Sequence, residues 1–326
     1  MIDWNKKTAF IIIGVLFAGG IAVFYQTRGI EKALAINGQP NAAYSNIKNN
    51  RNNPFTPSPS PTVLPTTILP TAANTLILPT PTNSPEVSPT APACLKKGGR
   101  IEKTSIHDGR LSLPMEVRIY LPPCYDEETS QRYPVLYLIH GQNFTEDQWE
   151  RLGAAKTADQ LIAEQRCPPF LIVMPRDRLW TSPRESPFGV VFMEKLIPYI
   201  DYTYRTKTER QYRAIGGLSR GGAWAMHLGI SQWQYFGAIG SHSSFYFYGE
   251  EYQTKHWFEK IPIESIPRIF VDIGRDDFLR KPNNQLEEML LQFHIPHEWY
   301  IYPGRHEESY WQAHLEQYLL WYAAAW

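Results

Sequence analysis

The segment from Tyr212 to Gly222, with the sequence YRAIGGLSRGG, most constrains how this chain can fold. Its first residues form a short apolar run that predicts a buried strand, and the residues that follow it favour a helix. Between the two, Gly217-Leu-Ser219-Arg-Gly221 fits G-x-S-x-G, the pattern of a sharp strand-to-helix turn with a serine at its apex. The apex requires a strained backbone, and glycines on either side let strand and helix approach closely. The segment therefore predicts a buried strand, a tight turn that exposes the Ser219 hydroxyl, and a helix.

Strand and helix patterns alternate through the rest of the C-terminal part. Such alternation indicates a mostly parallel sheet that is covered by helices on both faces. Two earlier strands, 101–106 and 115–121, are predicted to form a hairpin through Asp108-Gly109 and to lie antiparallel at one edge. Further strands are predicted at 135–139, 170–174, 212–215, 236–240, 268–273 and 298–302, and helices at 154–164, 189–201, 223–228, 283–293 and 308–325.

The N-terminal part has a different character. No charged residue lies between Thr8 and Thr27, and about twenty apolar residues are enough to span a bilayer. We interpret residues 1–35 as a cytoplasmic tip and an uncleaved transmembrane signal anchor. A cleaved signal peptide is the alternative, with Ala33-Leu34-Ala35 as the candidate cleavage site.

Residues 36–93 are predicted to be a disordered linker. Asparagines dominate its start and proline, threonine and serine the remainder, a composition that buries too little apolar surface to fold. A proline-rich spacer of this length reaches on the order of 100 Å. We therefore expect a folded domain at 94–326 that is held away from a membrane on its extracytoplasmic side.

Charge and cysteine content limit the partners of this domain. The chain has 32 basic and 32 acidic residues, so nothing favours binding to nucleic acid. No histidine, cysteine and carboxylate cluster has metal-ligand spacing, so we expect neither a metal nor a cofactor. Cys94 and Cys124 flank the predicted hairpin and are candidates for a disulfide, with Cys167 left over. Three free thiols are the alternative.

Three further loops at the carboxyl ends of predicted strands carry chemically useful groups. After 135–139 comes His140-Gly-Gln142-Asn, where we expect the backbone N–H of Gln142, with that of Arg220, to stabilise an oxyanion. After 268–273 comes Gly-Arg-Asp276-Asp277, in which either aspartate is a candidate acid. After the last strand comes Pro-Gly-Arg-His306. The order serine, aspartate, histidine is the one that this class of sheet requires for a catalytic triad.

Aromatic and histidine side chains near these loops are candidate pocket residues. Trp149, Trp180 and His242 are predicted to line a substrate pocket, although a structural role is the alternative for His242. Loop aromatics, including Trp149, Trp180, Tyr246, Tyr248 and Trp257, have two interpretations. They either stack on sugar or phenolic rings of a substrate or pack a lid over an apolar acyl pocket.

Several of these runs resemble the esterase D-type esterase family. The resemblance covers residues 94–326 and rests on RYPVLYLIHG (132–141), on YRAIGGLSRGG, and on the Gly274-x-x-Asp277 and Gly304-x-His306 turns. It implies an α/β-hydrolase fold with Ser219 as nucleophile, Asp277 rather than Asp276 as the acid, and His306 as the base. The family includes feruloyl and acetylxylan esterases, mycolyltransferases and S-formylglutathione hydrolases.

We therefore expect a serine-dependent carboxylic ester hydrolase that works through an acyl-enzyme. Its expected substrate is an acylated carbohydrate, such as an acylated polysaccharide, or another extracytoplasmic ester. Acyl transfer to a sugar or lipid alcohol and hydrolysis of an S-formylglutathione-type thioester are alternatives within the same chemistry. A surface binding module with an inactive hydrolase fold is the non-enzymatic alternative.

Overall fold

The computed structural model describes residues 92–326. The predicted anchor at 1–35 and nearly all of the predicted linker lie outside the described residues. Within 92–326, no helix is both long and apolar enough to span a bilayer.

An eight-stranded sheet forms the centre of the described domain. The strands are β1 (Arg100–Ile106), β2 (Met115–Leu121), β3 (Val135–Ile139), β4 (Leu171–Pro175), β5 (Arg213–Leu218), β6 (Ala238–His242), β7 (Arg268–Gly274) and β8 (Glu298–Tyr302). Their order in the sheet is β1-β2-β4-β3-β5-β6-β7-β8. The first strand pairs antiparallel with the second and the second antiparallel with the fourth, and all other neighbours are parallel. The predicted antiparallel pair at one edge of a parallel sheet is thus confirmed.

Helices cover both faces of this sheet. They are α1 (Gln148–Arg151), α2 (Ala154–Ala163), α3 (Phe188–Val191), α4 (Ile197–Thr203), α5 (Arg220–Ser231), α6 (Glu251–Lys260), α7 (Arg280–Gln292) and α8 (Glu308–Ala323). One layer contains α3 to α7 and the other contains α1, α2 and α8.

The side chains of β3 show why an unbroken apolar run forms a central strand. Val135, Tyr137 and Ile139 belong to one hydrophobic core, and the intervening Leu136 and Leu138 belong to the other. Successive side chains of a strand point to opposite faces, so a strand between two helical layers must be apolar at every position. This explains why β3 shows no polar–apolar alternation in its sequence.

The connection between β1 and β2 spans residues 107–114, because Ile106 pairs with Met115. The predicted turn at Asp108-Gly109 lies within it, where the Leu111 N–H donates to the carbonyl of Asp108 at 3.0 Å. Two other local features differ from the sequence-based expectation. The predicted helix 189–201 is a longer one, in which a π-helical segment, Phe192–Leu196, joins α3 to α4. The aromatic-rich insertion between β6 and β7, residues 245–261, for which no element was predicted, contains the helix α6.

Cys94 and Cys124 form a disulfide in the structure. It links a short 3-10 helix, Ala93–Lys97, to the chain just beyond β2. Cys167 is a buried free thiol, and burial raises its pKa to about 11, so this thiol stays protonated at neutral pH.

Candidate active site

Ser219 occupies the turn between β5 and α5 in a strained conformation. Its backbone angles are φ 52° and ψ −123°, a region that residues with a side chain rarely adopt. The Ser219 N–H donates to the carbonyl of His242 at 2.8 Å, which fixes the turn against β6. A Cβ at Gly221 would lie 2.0 Å from the carbonyl oxygen of Ile139, so only glycine permits this close approach to β3.

Ser219, His306 and Asp277 form a continuous hydrogen-bonded row. The Nε2 atom of His306 lies 2.9 Å from Ser219 Oγ, and its Nδ1 lies 2.9 Å from Asp277 Oδ2. Because a carboxylate only accepts hydrogen bonds, Nδ1 carries the proton and Nε2 is free to accept the serine proton. The other oxygen of Asp277 accepts the Leu279 N–H at 2.8 Å, which holds the carboxylate in place.

The neighbouring Asp276 does not reach the histidine. Its side chain is exposed, and its backbone N–H donates to the carbonyl of Gly304 at 3.0 Å. Of the two aspartates that the sequence offered, Asp277 alone contacts His306. This contact agrees with the residue that the family resemblance implied.

Two glycines bring the aspartate and histidine turns together. A Cβ at Gly274, the last residue of β7, would lie 2.5 Å from the carbonyl oxygen of Gly304. Gly304 itself has φ +141°, and a Cβ there would lie 2.5 Å from the ring of Tyr310. Both positions exclude larger residues, and the tight approach places Asp277 beside His306.

Aromatic rings hold the imidazole of His306 on two sides. The ring of Phe278 lies 4.5 Å away between centroids, and that of Trp311 lies edge-on at 5.1 Å. The indole N–H of Trp311 donates to Ser243 Oγ at 3.0 Å. The ring of His306 is therefore fixed by packing as well as by hydrogen bonds.

The backbone amides of Gln142 and Arg220 are free to bind an anion. Both residues line the cavity that contains Ser219, and within residues 92–326 neither amide donates a hydrogen bond to the protein. The preceding amide, that of Gly141, donates instead to the side-chain oxygen of Gln148 at 2.8 Å. Gln142 rather than Gly141 is therefore the available donor in this loop.

The cavity beside Ser219 has a volume of about 860 Å³ and a largely aromatic mouth. Three aromatic residues of its lining, Trp180, Tyr248 and Phe278, are 64%, 75% and 74% exposed. Polar groups lie among them, contributed by Gln142, Asn143, Thr181, Ser182 and Glu307. A cavity of this size accommodates an organic group and orients it through a few polar contacts.

Two of the three predicted pocket residues lie outside this lining. Trp180 lines the cavity. Trp149 is buried, and its indole N–H donates to the carbonyl of Ile139 at 3.0 Å. His242 lies inside β6 rather than after it, and its Nδ1 is 2.6 Å from Asp272 Oδ1. Both are satisfied core residues, so their assignment to the pocket is corrected.

The other loop aromatics divide in the same way. Tyr246 and Tyr248 line the cavity, together with Phe245 and Phe247 of the same insertion. Trp257 instead packs edge-on against the ring of His227, with centroids 4.9 Å apart. Sequence reasoning missed the cavity residues Phe144 and Phe278, although both lie in loops that it had singled out.

The sheet order and the serine turn define a protein of the α/β-hydrolase type. The chain belongs to the family described as "Putative esterase", whose model matches residues 109–322.

Two relatives and one solved structure illustrate the likeness. An endo-1,4-beta-xylanase/feruloyl esterase of Xylanibacter ruminicola is 31% identical over 153 residues, which cover 44% of this chain and 21% of that protein. An esterase of Mycobacterium tuberculosis is 31% identical over 137 residues, which cover 39% of this chain and 28% of the relative. The chain thus matches less than a third of either relative's length. A ferulic acid esterase structure superimposes with a TM-score of 0.64 at 24% identity, over 70% of this chain and 100% of that one.

Proposed function

We propose that this protein is a serine-dependent carboxylic ester hydrolase with Ser219, His306 and Asp277 as its catalytic triad. The observation that carries the proposal is the row of hydrogen bonds from Ser219 Oγ through His306 to Asp277. The row ends at the wall of a cavity that is large enough for a substrate.

The geometry supports acylation of Ser219 in two steps. Ser219 Oγ attacks the ester carbonyl carbon while His306 Nε2 takes the hydroxyl proton, and Asp277 stabilises the resulting imidazolium. The carbonyl oxygen becomes an oxyanion that accepts hydrogen bonds from the amides of Gln142 and Arg220. When the tetrahedral intermediate collapses, the ester C–O bond breaks and His306 returns the proton to the departing alcohol.

Deacylation repeats this sequence with water as the nucleophile. His306 removes a proton from water, the hydroxide attacks the acyl carbon, and the same two amides hold the second oxyanion. The bond from the acyl carbon to Ser219 Oγ then breaks, His306 returns its proton to Oγ, and the carboxylic acid leaves. An alcohol in place of water would give acyl transfer, which this geometry equally allows.

Replacing Ser219 by alanine tests the proposal directly. Hydrolysis of a nitrophenyl ester should fall by about 10⁴-fold or more, because the nucleophile is lost. Ser231→Ala, at the far end of α5, is the matched control and should retain activity. Equal rates for Ser219→Ala and the parent, or no esterase activity in the parent, would favour the inactive binding module.

An acylated carbohydrate is the substrate class that we propose. The relative from Xylanibacter ruminicola is described as both a xylanase and a feruloyl esterase. The mouth of the cavity combines aromatic rings with amide and hydroxyl groups, and this combination suits sugar or phenolic rings. A panel of acetylated xylan, methyl ferulate, short acyl esters and S-formylglutathione, with and without an added alcohol, separates the candidates. Preference for S-formylglutathione or transfer to the alcohol would replace this proposal.

We further propose that the domain acts outside the cytoplasm on a membrane-anchored chain. Three features support this location: the uncharged segment from Thr8 to Thr27, the proline-rich spacer and the Cys94–Cys124 disulfide. Disulfides persist mainly outside the cytoplasm. Treating intact cells with protease should remove the domain. Survival on intact cells with digestion only after lysis would place the domain inside.

A further inference from the structure

His140 is a buried histidine next to the oxyanion loop that the mechanism above does not use. Only 3% of it is exposed. Its Nδ1 lies 2.7 Å from the carbonyl oxygen of Gly141, and its Nε2 accepts the N–H of Asp177 at 3.0 Å. Because a carbonyl accepts and an N–H donates, Nδ1 must carry the ring proton and Nε2 must carry none. The surroundings therefore fix both the orientation and the tautomer of the ring.

This hydrogen bond also fixes the direction of the Gln142 amide. The carbonyl of Gly141 and the N–H of Gln142 belong to one planar trans peptide unit, so they point in opposite directions. The carbonyl is directed at the buried ring and also accepts the Phe144 N–H at 3.1 Å. The Gln142 N–H must then point away from the buried ring, and Gln142 lines the cavity with Ser219.

We infer that His140 is a positioning residue of the oxyanion site, which holds the Gly141–Gln142 peptide so that the Gln142 N–H faces the developing oxyanion. The inference rests on the proposed function, since an oxyanion forms only if Ser219 attacks a carbonyl. His140 does not line the cavity that contains Ser219, so it acts through the peptide alone.

The same histidine is connected to the second oxyanion donor. Asp177, whose N–H is bound to His140, accepts the Nε–H of Arg220 at 2.7 Å and the indole N–H of Trp224 at 2.8 Å through its buried Oδ2. The backbone amide of Arg220 is the other proposed donor. A buried path through His140 and Asp177 thus joins the two loops whose separation determines the width of the oxyanion site.

His140 serves as a fixed neutral donor rather than as an acid or base. Burial lowers its pKa, so the ring stays uncharged in the neutral range in which a catalytic histidine works. Protonation would direct a second ring N–H at the Asp177 N–H, so that two donors would face each other. Its contribution should therefore be independent of pH across the active range.

The test compares three replacements of His140 in the full-length protein. Asparagine places an amide N–H close to the position of Nδ1, glutamine places one nearer to Nε2, and leucine places none. For a nitrophenyl ester we expect His140→Leu and His140→Gln to lower kcat by about 10²-fold, the usual effect of losing one oxyanion donor. His140→Asn should remain within about tenfold of the parent, and KM should change little in all three.

A transition-state analogue separates positioning from a general loss of structure. Affinity for a boronic acid or trifluoromethyl ketone should fall in proportion to kcat/KM in the leucine and glutamine variants, since both quantities report oxyanion binding. His256→Asn, on the surface of α6, is the matched control and should change neither quantity.

The outcomes distinguish this inference from the proposed function. If Ser219→Ala is inactive but the glutamine and asparagine variants have equal kcat values, the positioning role is overturned while the triad stands. The same holds if all three variants match the parent. The comparison of glutamine with asparagine decides the question even if His140→Leu does not fold. No activity in the parent would overturn the proposed function itself.

Discussion

Asp277 fixes the tautomer of His306, the base of the proposed mechanism. Replacing it by asparagine keeps the shape but lets the amide N–H face Nδ1, which moves the ring proton to Nε2 and prevents it from accepting the serine proton. We expect Asp277→Asn to lower kcat by about 10⁴-fold. Asp276→Asn is the matched control, since that side chain is exposed and does not contact His306, and it should change kcat less than twofold. Steady-state kinetics of the two variants check this, and a larger loss at Asp276 would move the acid by one residue.

Phe278 acts on the same histidine by packing. Its ring lies against His306 although the residue is 74% exposed. Phe278→Ala should lower kcat by about tenfold, because the imidazole loses one of the two rings that hold it. Tyr252→Ala is a suitable control, as Tyr252 is 82% exposed and does not line the cavity. Unchanged kcat in Phe278→Ala, measured on the same ester, would show that Trp311 and the hydrogen bonds suffice.

At the scale of elements, the serine turn depends on the contact between β3 and the start of α5. A methyl group at Gly221 would overlap the backbone of Ile139, and backbone atoms cannot yield as a flexible side chain does. We expect Gly221→Ala to cost about 3 kcal/mol or more of unfolding free energy and to abolish most activity. Gly109→Ala is the control, because nothing lies within 4 Å of a Cβ there. Urea unfolding and ester hydrolysis measure both effects, and equal stability of the two variants would contradict the expectation.

The disulfide ties the edge hairpin to the segment that enters the domain. Cys94 and Cys124 are 30 residues apart, and closing a loop of that length stabilises a fold by about 3–4 kcal/mol through the entropy of the unfolded chain. Cys94→Ala should lower the unfolding free energy by this order, and a reductant should lower that of the parent equally. The reductant should have no further effect on Cys94→Ala. If the reductant does not change the urea midpoint of the parent, the packing of β1 and β2 alone holds this loop.

The sequence was informative wherever function depends on local chain geometry. Ser219, Asp277 and His306 each follow a strand at its carboxyl end, and parallel pairing brings those ends to one edge, so a linear pattern was enough to find them. The positions of Trp149 and His242 depend instead on distant groups. Trp149 donates to the carbonyl of Ile139, and His242 is hydrogen-bonded to Asp272 and Tyr322. No periodicity in the sequence indicates such contacts.

At the scale of the whole molecule, the two cores have different chemical character. The layer with α8 surrounds Asp272, a fully buried carboxylate that accepts hydrogen bonds from the hydroxyls of Tyr310 and Tyr318, each at 2.7 Å. The opposite layer contains Tyr137, whose hydroxyl is buried without a hydrogen-bond partner in the described residues. Tyrosines in both cores have pKa values raised by burial, so the fold as a whole should be sensitive to alkali.

Tyr137 allows this sensitivity to be tested at one residue. Burial raises its pKa well above the usual 10, and the nearby Arg213 cation, which favours the phenolate, offsets only part of the shift. Below pH 10 the phenol is protonated in the folded and unfolded states alike, so its full stabilisation is present. Above pH 10 the unfolded state ionises and the folded state does not, and unfolding free energy falls by up to about 1.4 kcal/mol per pH unit for each such tyrosine.

Tyr137→Phe should therefore remove one tyrosine's share of the fall in unfolding free energy above pH 10. It should not lower the unfolding free energy at pH 8. Removing the Tyr137 hydroxyl breaks no hydrogen bond within the described residues. The ring still packs against Phe192, with centroids 5.2 Å apart. Urea unfolding at pH 8, 10 and 11 measures the difference, with Tyr202→Phe as control because Tyr202 is 93% exposed. Comparing variants at each pH removes the contribution of lysines that titrate in the same range. Parallel stability curves for Tyr137→Phe and Tyr202→Phe above pH 10 would show that the folded domain lets this phenol ionise.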